Sequence, residues 1–254
     1  PKEPATQKAL FMLGRAQAEN GNIAEAAKSF EKLLAKPEEI ALANLRYISD
    51  ICLQAGLPES AIKANQEVLQ RAANKNSPDY EQISRAAKER ATFSLGQAQT
   101  ALKRYRDAIK TLEQLLQDNE KTAYFLDVKF LLAEARAAMN PPDWEALEKD
   151  LYDILMQASS PALRNRASCE YAEALLRSGG AEKRSSALSN FQLVLLADPS
   201  EEENLPLLER ALYGSAKILS EQGKKESAAE MLKRYRELFS TGKHLNEMIK
   251  FAAE

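Results

Sequence analysis

The stretch LFMLGRAQAENGNIAEAAKSFEKLLAKP, residues 10–37, decides the fold. In its first half, Leu10, Leu13 and Gln17 recur at the spacing of one helix face. Residues 20–22, Asn-Gly-Asn, indicate a turn, because both residue types tolerate the left-handed backbone that ends a helix. The second half carries an apolar stripe of the same period, formed by Ile23, Ala26, Ala27, Phe30, Leu33 and Leu34. The stretch therefore predicts two helices joined by a tight turn.

Five residues in this stretch have specific expected roles. Gly14 leaves room for a neighbouring helix, and Asn22 is expected to cap the second helix. Ala26 is the small residue where the two helices cross, and Phe30 is the large one that fills the wedge beside it. Pro37 is expected to stop the second helix, because proline cannot donate a backbone hydrogen bond.

This pattern resembles the tetratricopeptide repeat family, whose unit is a helix–turn–helix of about 34 residues. The residues that carry the resemblance are Leu13, Gly14, Gly21, Ala26, Phe30 and Pro37. The resemblance implies an all-α, right-handed superhelix of stacked helix pairs. It also implies a concave face that binds peptides or partner proteins.

The same pattern of turn glycines, small crossing residues and prolines at helix ends recurs along the chain. Small residues expected at helix crossings are Ala26, Ala61, Ala108, Ala146, Ala187 and Ala228. We predict one solenoid domain over residues 1–254, and the expected helix pairs lie at 5–37, 38–74, 78–117, 120–157, 160–198 and 204–239, with a capping helix at 243–252.

Local signals refine these bounds. Ser77 and Ser160 each precede a proline and predict helix starts, because serine caps a helix and proline is tolerated in its first turn. The helix after Ser77 is expected to run from Pro78 to about Leu102. Residues 181–186 are expected to form an enlarged turn.

Charge argues against nucleic acid as the partner. The chain has 35 basic and 37 acidic residues and a formal net charge of −2, whereas phosphate binding usually needs a basic excess. The largest basic clusters, at 103–106 and 224–225, are interpreted as solvated helix faces. No apolar run approaches the roughly 20 residues of a membrane span.

Candidates for catalysis are few. The one histidine, His244, has no second histidine or nearby cysteine with which to hold a metal. Cys52 and Cys169 lie in apolar helical patterns and are expected to be small buried residues. No glycine-rich phosphate loop occurs. We therefore expect a protein that is not an enzyme and that uses no cofactor or metal.

Candidate binding residues come from the resemblance, which places the residues two before and two after Leu13, and their equivalents, on the concave face. The couples are Phe11 and Arg15, Arg46 and Asp50, Phe93 and Gln97, Phe130 and Glu134, Cys169 and Glu173, and Tyr213 and Lys217. Aromatic residues hold four of the six leading places. Either the rings line a groove, and Phe93 and Phe130 contact a bound segment, or they pack between helices.

Some family members grip a C-terminal carboxylate with a clamp of lysines and asparagines in this groove. The corresponding places here hold Phe11, Arg15, Arg46 and Asp50, so the clamp is not expected.

The leading hypothesis is a scaffold that binds a protein or peptide. The long repeats are similar in style to those of bacterial cell-envelope tetratricopeptide proteins, which favours a periplasmic or membrane-anchored setting. The alternatives are a cytoplasmic adaptor segment of a larger protein and a self-associating structural array. Because the chain begins at Pro1 and not at methionine, we expect a fragment or a processed product.

Overall fold

The computed structural model describes residues 3–253, with side chains from Thr6 onward. In this range the regular structure consists of thirteen α-helices and three short 3-10 helices, with no strand. The prediction of an all-α repeat fold is therefore confirmed.

The chain divides into two compact units, Pro1–Pro141 and Pro142–Glu254. In the first unit each helix packs against the next one along the chain. In addition, α3 contacts α5, and α5 contacts α7. Its helices are α1 (Glu3–Glu19), α2 (Ile23–Leu33), α3 (Leu42–Gln54), α4 (Pro58–Ala73), α5 (Arg85–Ala101), α6 (Tyr105–Asp118) and α7 (Phe125–Ala137). The first, second and third repeats are thus α1–α2, α3–α4 and α5–α6.

The second unit is built in the same way. Consecutive helices pack together, and α9 and α11 also lie beside α11 and α13, respectively. Its helices are α8 (Trp144–Gln157), α9 (Pro161–Ser178), α10 (Ala181–Val194), α11 (Leu205–Glu221), α12 (Lys225–Leu238) and α13 (Leu245–Ala253). The arrangement of both units in one solenoid domain stays a prediction.

Small residues at the crossings allow this packing. Of the six alanines expected at helix crossings, five are fully buried, namely Ala26, Ala61, Ala108, Ala187 and Ala228, whereas Ala146 is only half-buried. A methyl group added to Gly14 would lie 2.5 Å from the ring of Phe30, so the glycine is required for the close approach of α1 and α2. Leu13, in contrast, is 51% exposed on α1.

Three helix starts, those of α5, α7 and α10, were predicted wrongly. The segment after Ser77 forms a 3-10 turn at Tyr80–Gln82, and α5 begins only after Ser84, whose hydroxyl accepts a hydrogen bond from the Ala87 N–H. The reason is Ile83, which has extended backbone and is buried in the core between the turn and the helix.

The expected turn at 181–186 is helical instead. Gly179 and Gly180 have φ angles of +84° and +99°, so these two residues complete the turn and α10 begins at Ala181. In contrast, Ser160 caps α9 as predicted, since its hydroxyl accepts from the Leu163 N–H at 3.2 Å.

Two further local expectations, for Asn22 and Pro37, are corrected together with the start of α7. Asn22 precedes α2, but its side chain makes no capping hydrogen bond, because its ψ of 61° is not the extended backbone that a capping side chain needs. The helix α2 ends at Leu33, before Pro37, which begins a 3-10 helix. The α7 helix likewise begins at Phe125 and not near Glu120.

The side chain of Glu89, on α5, forms hydrogen bonds with the turn between α6 and α7. Its carboxylate accepts from Asn119 Nδ2 at 2.7 Å, Thr122 Oγ1 at 2.8 Å and Arg85 Nε at 3.0 Å. Burial of this carboxyl raises its pKa, but the three hydrogen bonds and the nearby Arg85 charge outweigh burial and hold the pKa below its usual value. The ionised form of Glu89 therefore stabilises the third repeat.

Candidate binding surface

In the first unit, the predicted concave residues divide into an accessible row and a packed pair. The accessible members lie on α1, α3, α5 and α7, the first helices of successive repeats. We define them as the first-helix row, which consists of Arg15, Arg46, Asp50, Gln97, Phe130 and Glu134. Arg15, Arg46 and Glu134 are exposed, and the others are half-buried.

Phe11 and Phe93 take part in packing between helices. The ring centroid of Phe11 lies 5.8 Å from that of Phe30 and 6.0 Å from that of Tyr47. Phe93 is 9% exposed and stacks on Tyr124 at a centroid distance of 4.7 Å. The expectation that the Phe93 ring projects into an open channel is therefore corrected, and neither ring belongs to the first-helix row.

In the second unit, two of the predicted residues have partners within the chain. The Glu173 carboxylate accepts two hydrogen bonds from Arg210, at 2.7 and 2.8 Å, which join α9 to α11. The Tyr213 hydroxyl donates to Glu247 at 2.6 Å, and this bond together with burial raises the pKa of Tyr213 to about 12. Lys217 remains exposed.

His244 and the cysteines have structural surroundings. The His244 ring stacks on Tyr213 with centroids 4.1 Å apart, and its backbone N–H donates to the Tyr235 hydroxyl. Cys52 and Cys169 are fully buried, and burial raises the pKa of both thiols to about 12. Within residues 3–253, no cluster of three or more His, Cys, Asp or Glu side chains is placed to hold a metal.

A cleft of about 270 Å³ opens between α3, α4 and α5. We call it the second-repeat cleft, and its lining residues are Leu42, Ala43, Arg46, Asp50, Asn65, Val68, Gln82, Ala87, Arg90, Ala91 and Ser94. Arg90 on α5 donates to the Asp50 carboxylate on α3 at 2.6 Å, so one ion pair joins the two walls. Two members of the first-helix row, Arg46 and Asp50, therefore lie in this cleft.

The cleft occupies a place that the first repeat fills with aromatic rings. In the first repeat Phe30 packs on Phe11 and on Tyr47 of the next helix, with centroid distances of 5.8 and 5.9 Å. The equivalent residues of the second repeat are Asn65, Arg46 and Ser94, and all three line the cleft. The equivalent residues of the third repeat are again large and apolar, namely Leu112, Phe93 and Leu131, and they belong to one core cluster.

A hydrogen bond replaces the aromatic contact in the second repeat. In the first repeat the Phe30 ring packs on Gly14. The equivalent residues of the second repeat are Asn65 and Ser49. Asn65 is 3% exposed, and its Nδ2 donates to Ser49 Oγ at 2.7 Å and to the Ala61 carbonyl at 3.0 Å. This pair satisfies the buried amide without filling the space above it. The polar replacement at Asn65 is visible in the sequence, but the cleft becomes predictable only when all three positions are compared together.

Comparison with known proteins agrees with this repeat register. Sequence profiles of the tetratricopeptide repeat match residues 11–81, 90–122 and 210–241, which together make up just over half of the chain. The chain belongs to the tetratricopeptide repeat family. Arrays of such repeats present extended surfaces for protein–protein interaction. Among curated proteins, none matches this tetratricopeptide repeat chain significantly in sequence.

Two solved structures show the same fold. PilF of Pseudomonas aeruginosa is 14% identical with a TM-score of 0.59, and the match covers 98% of this chain and 99% of PilF. A tetratricopeptide repeat protein from Parabacteroides merdae is 17% identical with a TM-score of 0.52, covering 100% of this chain and 88% of that one. In the described part of our tetratricopeptide protein, no helix is both long and apolar enough to cross a bilayer.

Proposed function

We propose that this tetratricopeptide protein is a non-enzymatic scaffold that binds a protein or peptide segment along the first-helix row of its first unit. The partner is a polypeptide, with neither nucleic acid nor cofactor involved. The proposal treats each unit separately and does not require a site formed between them.

The observation that carries the proposal is the accessibility of the row on four successive first helices of the first unit. The row residues of the first unit are exposed or half-buried on successive first helices. In the second unit, Glu173 and Tyr213 already bind Arg210 and Glu247 of the same chain. Two members of the first-unit row, Arg15 and Asp50, are also paired within the chain, but this row extends over four first helices, so a partner segment would meet a longer accessible surface there.

Selection from a random peptide library on the folded protein tests this function. A peptide recovered in this way should bind with lower affinity after Phe130→Ala, because aromatic anchors in interfaces often contribute about 2 kcal/mol, roughly 30-fold in Kd. The matched control is Tyr152→Ala, which removes an aromatic ring that is 48% exposed on α8 of the other unit. Fluorescence anisotropy with the labelled peptide measures both affinities.

Three outcomes would argue against the proposal: no peptide is recovered, Phe130→Ala binds as the unmodified protein does, or Tyr152→Ala weakens binding to the same extent. Analytical ultracentrifugation of the free protein addresses the alternative of a self-associating array, which predicts concentration-dependent growth beyond a small oligomer.

The cellular setting stays a prediction. A periplasmic or membrane-anchored position in the bacterial envelope and a cytoplasmic adaptor segment differ in the N-terminus of the full-length protein. A signal sequence with a lipidation cysteine would favour the envelope.

A further inference from the structure

We infer that the second-repeat cleft is a specificity pocket for an acidic side chain, a glutamate or aspartate within an extended partner segment. This inference rests on the proposed function, since it names the chemistry that the first-helix row selects. Arg46 holds a place that corresponds to the clamp for a chain-terminal carboxylate. The inferred pocket differs from that clamp because it takes a side chain within the segment and not a chain terminus, and because it lies over Asn65, at the wedge position of the second repeat.

The charges in the cleft select an anion. Arg90 is neutralised by Asp50 at 2.6 Å, whereas Arg46 has no ion pair with any described residue of the chain. A guanidinium offers up to five donors and no acceptor, and it binds carboxylates with two parallel hydrogen bonds in favourable cases. A lysine or arginine from the partner would instead meet the uncompensated like charge of Arg46.

The size and the walls of the cleft fit a side chain. Its volume of about 270 Å³ lies just below the roughly 300–1,000 Å³ of pockets for drug-sized ligands. The walls are apolar on both sides, from Leu42 on α3, Val68 on α4 and Ala91 on α5. An aliphatic stem can therefore lie against these walls while its carboxylate reaches Arg46.

The test uses a peptide library in which both ends of every peptide are joined to a carrier, so that no terminal carboxylate is present. We expect the recovered peptides to share an acidic residue. Replacing this residue by glutamine should weaken binding about tenfold or more, as expected for loss of a hydrogen bond to a charged group. Arg46→Gln should weaken binding to a similar extent and should abolish the discrimination between the glutamate and glutamine peptides. The control is Arg106→Gln, which replaces an exposed arginine on α6. It should change neither the affinity for the glutamate peptide nor the discrimination against the glutamine peptide.

A second variant fills the cleft. Asn65→Phe alone would overpack against Ser49, so the substitution is combined with Ser49→Gly to reproduce the Gly14–Phe30 pair of the first repeat. The double variant should keep its helical circular dichroism spectrum and lose the acidic preference.

The remaining outcomes separate the two proposals. If peptides bind without an acidic preference, or if Arg46→Gln has no effect, the pocket inference is overturned while the scaffold function stands. An enriched aromatic residue whose binding survives Arg46→Gln would show an apolar occupant and would also overturn the inference. Binding only by peptides with a free C-terminus would overturn it as well. If no library yields a binder, the scaffold function itself fails.

Discussion

Gly96→Ala tests the repeat register in the middle of the first unit. A methyl group on Gly96 would lie 2.4 Å from Leu112 Cδ2 and 2.7 Å from Leu112 Cγ. Carbon atoms prefer separations of about 3.5–4.0 Å, so one of the two residues must move by roughly 1 Å. Leu112 is fully buried, and the displaced Cγ is a branch point, not the end of a flexible chain.

Two opposing effects set the magnitude. Overpacking of a core typically costs 1–3 kcal/mol, whereas replacing glycine by alanine inside a helix contributes about 1 kcal/mol of stability. Because the clash involves a fully buried branch point, we expect the upper part of the overpacking range. The free energy of unfolding should therefore fall by about 1–2 kcal/mol.

The assay is urea unfolding followed by far-ultraviolet circular dichroism, with the slope of the transition compared between variants. The decisive background is Leu112→Ala, which itself should cost about 2–5 kcal/mol. In that background the clash is absent, so Gly96→Ala should stabilise the protein by about 1 kcal/mol. If Gly96→Ala stabilises the protein when Leu112 is intact, the reasoning about this crossing is refuted.

Two further predictions concern stability. Phe93→Ala should lower the free energy of unfolding by about 3–5 kcal/mol, as for a core phenylalanine, whereas the half-buried Phe130→Ala should cost less; thermal unfolding of both variants measures the difference. Glu89→Gln should make the free energy of unfolding less sensitive to a fall in pH. The pKa of Glu89 is lower in the folded protein than in the unfolded chain, so its contribution is present above the ordinary glutamate pKa of about 4.3 and is lost as the pH falls through the folded value. Unfolding midpoints measured from neutral pH to about pH 3 should therefore fall more steeply for the unmodified protein than for Glu89→Gln; equal slopes would contradict this.

Much of the fold could be predicted because its signals are local. Gly21 forms a turn with positive φ where glycine was expected to end a helix. Alanines 26, 108, 187 and 228 are buried, because a crossing tolerates only a small side chain wherever it occurs. The wrongly predicted start of α5 depended on a tertiary contact, the burial of Ile83, which the capping signal at Ser77 does not reveal.

The binding surface was harder to predict because it also depends on tertiary contacts, which local sequence signals do not reveal. Spacing placed Phe93 and Phe130 at equivalent positions, but only the structure distinguishes the ring that stacks on Tyr124 from the one that stays half-buried. The second-repeat cleft depends on three residues from three helices. Asn65 alone does not predict an open space. The space becomes predictable only when the two neighbouring positions are known to hold Ser94, which is small, and Arg46, which is polar and flexible.

The most direct test of the scaffold account is site-specific photocrosslinking of a library-selected peptide. A photoreactive residue is placed at Gln97, in the first-helix row, and in a separate variant at Lys110, which is exposed on the second helix α6. If the first-helix row binds the partner, position 97 should crosslink to the peptide, unlabelled peptide should compete with this crosslink, and position 110 should give none. A crosslink from position 110 with none from position 97 would contradict it.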